Sequence, residues 1–160
     1  MKDIFITLFF LCFLIILMPK KKNKKRTRKR KKNKSKRIEN FNNIQQKNIY
    51  NESLKPCSMN PLTGYHRSCY CFTDDMDQGT HTVCAQVNDD FLEYTMNQDN
   101  DLSTPRDNFP GLKDGDKWCL CALRWSQALK AGKAPPLDLE ATNLKTLDYI
   151  DLDTLENNKI

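Results

Sequence analysis

Residues 20–37 hold fourteen Lys and Arg and no acid, directly behind an apolar run, Ile4–Met18, broken only by Thr7. No other feature constrains the chain as strongly, because neither piece can join a packed core. Like charges at that density repel and stay solvated. The apolar run reads instead as a membrane anchor. At about 1.5 Å per residue it spans roughly 22 Å as a helix, against about 30 Å of hydrocarbon. Flanking lysines can snorkel and the bilayer can thin to close the gap. Cleavage as a signal peptide is not expected: the start carries only Lys2 beside Asp3, and Leu17-Met18-Pro19 offers no small-x-small site.

The charge asymmetry also predicts orientation. One basic residue precedes the run and fourteen follow it, so the C-terminal side is expected in the cytoplasm as a single-pass protein. Each basic residue near an anionic leaflet adds about 1 kcal/mol of attraction. The expected partners are thus the membrane through residues 4–18 and an anionic lipid surface through residues 20–37. Nucleic acid enters as a partner only if translation starts at Met18, which would turn the basic run into an N-terminal arm. Asn51-Glu52-Ser53 is a glycosylation sequon, a counter-signal that matters only in a lumen.

Four segments follow: an anchor (1–19), a basic stalk (20–37), a flexible Asn-rich linker (38–55) and one globular domain (56–160). Over residues 57–160 there are 9 basic and 17 acidic side chains, 9 − 17 = −8, so the domain itself is acidic. An acidic face binds nucleic acid poorly, since that affinity comes mostly from neutralised phosphates.

Within the domain, Thr82–Val87 is β-branched and predicts a short strand. Asn88 is placed to cap a helix running to about Gln98, with Asp89 and Asp90 in its first turn. Residues 99–110 are a polar loop. Trp118–Cys121 predicts a buried strand, with Cys119 and Cys121 on one face. Ala122–Ala131 predicts a helix ending before Gly132 and stopped by Pro135 and Pro136. Leu137–Thr142 alternates in the manner of a half-buried strand. Asn143 can cap a short helix through Tyr149, Ile150 can start a brief strand, and Asp151 can cap a last helix over 152–157. The expected class is α+β, a small sheet with short helices packed against it.

The segments Asn60–Arg67 (NPLTGYHR), His81–Ala85 (HTVCA), Phe91–Tyr94 (FLEY), Asn100–Pro105 (NDLSTP), Phe109–Trp125 (FPGLKDGDKWCLCALRW), Gly132–Thr142 (GKAPPLDLEAT) and Leu147–Glu156 (LDYIDLDTLE) resemble the domain-of-unknown-function 2237 family. The likeness covers about residues 57–158. It implies a small α+β domain, found mostly in bacteria as a stand-alone protein, with no assigned activity. The anchor and stalk depart from that pattern. So does Cys69-Tyr70-Cys71, where the family carries Gly-Cys-Cys: Cys71 matches the second cysteine, and a role needing adjacent thiols is not expected here.

Six cysteines lie in the domain: Cys57, Cys69, Cys71, Cys84, Cys119 and Cys121. On the cytoplasmic side stable disulfides are not expected. The plainest expectation is buried thiols acting as small apolar side chains. A second is metal: Cys71, Cys84, Cys119 and Cys121, or three of them with His81, are the right donors for tetrahedral zinc. The C-x-C spacing argues against a zinc knuckle. A third is thiol catalysis or redox exchange through Cys71, Cys84, Cys119 or Cys121, with His81 as base. On a strand, His81 and Cys84 point to opposite faces, which weakens that pair.

The other candidate is the loop carrying Asn100, Asp101, Ser103, Thr104 and Arg106, whose groups suit a small polar or anionic ligand. The competing expectation is a turn whose side chains bond their own backbone. No phosphate loop, dinucleotide fingerprint or Ser-His-Asp order is present. The sequence therefore favours a membrane-tethered binding or interaction module. The alternatives are a thiol-dependent enzyme or redox protein, and a zinc-stabilised scaffold.

Overall fold

Gln46 to Ile160 are the residues described by a computed structural model of the chain. The anchor, the stalk and the linker before Gln46 lie outside them. No helix among the described residues is long and apolar enough to cross a membrane.

The sheet has two antiparallel strands, β1 (Val83–Gln86) and β2 (Lys117–Leu120), paired Val83 to Leu120, Cys84 to Cys119, Ala85 to Trp118 and Gln86 to Lys117. Alternation along each strand sorts the side chains into two sets. Val83, Ala85, Trp118 and Leu120 join the main core with Phe91, Trp125, Leu137 and Leu155. Cys84 and Cys119 join a separate buried cluster with Cys57, Cys71 and Ala141.

Helices α1 (Asp89–Met96) and α2 (Ala122–Lys130) pack on each other. Asn88 caps α1 by accepting the Phe91 N–H at 2.9 Å. Trp125, fully buried on α2, donates its Nε1–H to the Pro135 carbonyl at 2.9 Å, so the ring fills the core without stranding its polar edge. A 3₁₀ turn (Leu144–Asp148) capped by Asn143 and a last helix, α3 (Leu152–Glu156), capped by Asp151, complete a small α+β domain.

Three expectations need correction. Leu137–Thr142 is not a strand. Only Leu137 bridges, to Ala85 and to Lys159, and the chain then turns, because Asp138 accepts the Ala141 N–H and the Thr142 hydroxyl donates to the Asp138 carbonyl at 2.8 Å. These local side-chain bonds replace a ladder. Ile150 starts no strand either; its N–H bonds Thr146 and its side chain is buried.

The linker expected over 38–55 also ends too late. Gln46–Leu54 folds onto the domain, bridging Lys47 to Ser53 and Asn48 to Asn143. Asn48 is fully buried. Its Oδ1 accepts the Tyr50 and Glu52 N–H groups at 3.0 Å each, and its Nδ2 donates to the Glu140 carbonyl. Tyr50 donates its hydroxyl to Glu156 at 2.6 Å, which pushes the phenol up to about 12.

Candidate functional site

His81 lies two residues before β1. Asp77, buried behind it, accepts the His81 backbone N–H through Oδ2 at 2.8 Å and meets the ring Nδ1 through Oδ1 at 2.6 Å. A carboxylate at that distance requires the proton on Nδ1, which leaves Nε2 as the outward nitrogen. Tyr65 stacks on the imidazole, centroids 5.8 Å apart and planes 18° from parallel. Gly79 makes room for it: a Cβ there would sit 2.4 Å from the ring's Cε1.

Across from His81 comes the 100–106 loop. Asp101 Oδ1 accepts the N–H groups of Ser103 at 2.8 Å and Thr104 at 3.0 Å. Bonds from the Thr104 side chain and from the Thr104 and Ser103 backbone, with Arg106 nearby, hold the Asp101 carboxyl down at about 2. Arg106 Nη2 donates to the Asp101 carbonyl at 3.2 Å and lies 3.4 Å from its Oδ2. Asn100 donates to the Thr95 hydroxyl at 2.8 Å. Gly111, at φ +74°, lets the following chain press on the loop, since a Cβ there would stand 2.3 Å from the Ser103 carbonyl.

The third wall is Arg67. Its Nη1 donates to the Gly64 carbonyl at 2.8 Å, and its guanidinium lies 4.8 Å from the Trp118 ring centroid. Burial pushes the Arg67 pKa down from its ordinary value. Phe109 meets Trp118 edge-on at 5.4 Å.

These pieces enclose two adjoining hollows. One, about 410 Å³, is lined by Tyr65, Arg67, His81, Asn100, Asp101 and Arg106, among others. The second, about 260 Å³, shares His81, Asn100, Leu102, Trp118 and Cys119 with it and adds Cys121 and Arg124. The three arginines of the described residues, Arg67, Arg106 and Arg124, all line this cleft, and no lysine does. A larger groove of about 830 Å³ elsewhere is lined by Asp74, Asp75, Asp77 and Asp148 with two lysines. It gathers none of the candidate site residues named from the sequence.

The sequence candidates divide accordingly. His81, Asn100, Asp101, Arg106, Cys119 and Cys121 line the cleft. Ser103 and Thr104 serve the turn instead. The thiol expectation fails for four of the six domain cysteines: Cys57 is bonded to Cys84, and Cys71 to Cys119. Each pair joins a loop cysteine to a strand cysteine distant in sequence, which adjacency could not reveal. Cys69 and Cys121 are free. Burial pushes the Cys69 thiol up. Cys121 does not share a strand face with Cys119; it leaves the strand and becomes the N-cap of α2, with no side-chain capping bond.

Sequence reasoning missed Tyr65, Arg67, Asp77, Trp118 and Arg124. A usable signal was present: residues 57–160 contain three arginines against 17 acids, and rare guanidiniums in an acidic domain point to a site.

A family model described as "Uncharacterized protein conserved in bacteria (DUF2237)" matches residues 47–159. No curated protein matches the chain.

Proposed function

The chain belongs to the DUF2237 family, and we propose that its domain is a binding module for a small anion, held in the cleft between the 100–106 loop, His81 and Arg67. The carrying observation is the gathering of Arg67, Arg106 and Arg124 on one cleft of an otherwise acidic domain. Guanidiniums present paired donors that match carboxylate or phosphate oxygens. Asp101 is the one carboxylate lining the cleft, and its Oδ1 is already committed to the turn. His81 Nε2 and the Asn100 amide add polar contacts at the shared wall of the two hollows.

Trp118 lines the cleft, so tryptophan fluorescence can follow a titration with inorganic phosphate or citrate. Arg106 is 61 % exposed, and Arg106→Gln should leave the fold intact. A charge-assisted hydrogen bond is worth about 1.5 kcal/mol or more, so this variant should bind roughly tenfold more weakly. Unchanged affinity in both Arg106→Gln and His81→Gln would remove the proposal.

A second reading has its own observation. Cys121, a free thiol, lines the same hollow as the Asp77-supported His81, an arrangement suited to nucleophilic attack by sulfur. It predicts that His81→Gln slows Cys121 alkylation by iodoacetamide, and an unchanged rate removes it.

We also propose that residues 4–18 tether this module to a membrane, with the basic stalk on anionic lipid and the domain on the cytoplasmic side. Added protease should then reach the domain in sealed vesicles, and Asn51 should carry no glycan. In a reducing compartment the two disulfides are an oxidised state of the domain and not permanent staples.

A further inference from the structure

Behind the sheet, away from the main core, four sulfurs are packed into one buried cluster. The Sγ atoms of Cys57, Cys71 and Cys84 lie within 4.8 Å of one another. Cys119 is bonded to Cys71 and faces Cys84 directly across the ladder. We propose that these four cysteines, once reduced, form a tetrahedral thiolate site for a soft divalent metal such as zinc. The domain would thus exchange a metal-bound state for a doubly disulfide-bonded one.

The geometry supports this in three ways. A zinc ion with four sulfurs at about 2.3 Å places them roughly 3.8 Å apart. No two of the Cys57, Cys71 and Cys84 sulfurs lie more than 4.8 Å apart, about an ångström beyond that spacing, and reduction frees the bonded pairs to move out to it. The ligands come from two rigid strands and two loops anchored beside them. The Cys84 N–H is bonded to the Thr142 hydroxyl and the Cys119 N–H to the Thr63 hydroxyl, which fixes the backbone of both strand ligands. Finally, four sulfurs with no competing carboxylate or imidazole in the cluster select soft metals over calcium or magnesium. The metal set differs from the one expected from the sequence, Cys71, Cys84, Cys119 and Cys121: Cys57 replaces Cys121, which lies on the cleft.

The interconversion balances. Two equivalents of a dithiol reductant deliver four electrons and four protons, cleaving both disulfides to four thiols. Metal binding then displaces the four protons. In the other direction, two equivalents of hydrogen peroxide take four electrons from the four metal-bound thiolates. Both disulfides form, four protons are consumed, four waters are released, and the metal ion leaves. This site goes beyond the anion cleft and does not depend on it.

The test uses the full chain, reduced with a phosphine, desalted without oxygen and titrated with cobalt(II), then zinc. The expected result is one metal per chain with the visible spectrum of a tetrahedral cobalt thiolate, displaced by zinc. Cys69→Ser and Cys121→Ser should keep it. Cys84→Ser should lose affinity by at least about tenfold, the floor seen when even an outer-shell partner of a metal is removed. In case that variant fails to fold, the wild-type chain supplies the second measurement. Two equivalents of peroxide should release the metal and restore the Cys57–Cys84 and Cys71–Cys119 pairs on peptide mapping. Absence of stoichiometric metal, loss of it in Cys69→Ser or Cys121→Ser, or peroxide oxidation that leaves the metal bound would each overturn the proposal.

Discussion

One face of the β1–β2 sheet is held by volume and the other by chemistry. Val83, Ala85, Trp118 and Leu120 sit in an apolar core whose strength scales with buried area and is indifferent to redox state. Cys84 and Cys119 sit in a smaller cluster of four cysteines and one alanine, too small to hold two loops by apolar contact alone. There the bonds between sulfurs supply the restraint, so the same backbone is anchored on one side permanently and on the other conditionally. Loops that depend on the conditional side, those carrying Cys57 and Cys71, are also the ones that frame Thr63–Arg67 beside the cleft. The two faces therefore separate what makes the domain fold from what can change its state.

That contrast can be broken most sharply from the permanent side. Trp125→Ala removes a fully buried ring and strands the Pro135 carbonyl, and should destabilise the domain by about 4–6 kcal/mol in denaturant unfolding, equally with or without reductant. If reductant changes that cost, the two faces are not independent. On the conditional side the effect should vanish under reduction. Without reductant, loop-closure entropy makes Cys119→Ser cost about 4.1 kcal/mol for its 48-residue separation, and Cys84→Ser about 3.6 kcal/mol for its 27. In reductant without metal, both should approach the wild-type value.

The smallest expected effect belongs to neither face. Asp101 has a carboxyl held at about 2 against an ordinary 3.8, so its bonds stabilise the folded state above pH about 4. That contribution is lost as pH falls through about 2, when the group protonates in the fold as well. Asp101→Asn, which keeps an acceptor but not a charge, should flatten the decline of stability between those values. A decline as steep as wild type would show that the turn is not charge-dependent.

Local chemistry was legible in the sequence wherever one residue sets it. Asn88, Asn143 and Asp151 each cap the helix they were expected to cap, because a capping side chain needs only the next three residues. The strands β1 and β2 were legible from their β-branched and aromatic runs. Leu137–Thr142 misled: its alternation correctly marks Leu137, Leu139 and Ala141 as buried, yet Asp138 and Thr142 bend the backbone into a turn. Gln46–Leu54 misled for the opposite reason. Its polar composition reads as linker, but Asn48 satisfies its own amide inside the fold. The cleft was half legible. The 100–106 loop and His81 stood out as dense polar chemistry, whereas Arg67, Asp77 and Trp118 reach the site only through tertiary packing. The cysteine pairing was invisible, since Cys57 with Cys84 and Cys71 with Cys119 are long-range choices that spacing does not encode.

The anion cleft is tested most directly by following arginine side-chain N–H resonances of the full chain during a phosphate titration. The stalk's own arginines provide an internal reference for non-specific attraction. The prediction is that Arg67, Arg106 and Arg124 shift together along one saturable curve, while Arg26, Arg28, Arg30 and Arg37 shift weakly and without saturation. If all seven move in parallel, or if the three domain arginines stay still, the cleft is not an anion site.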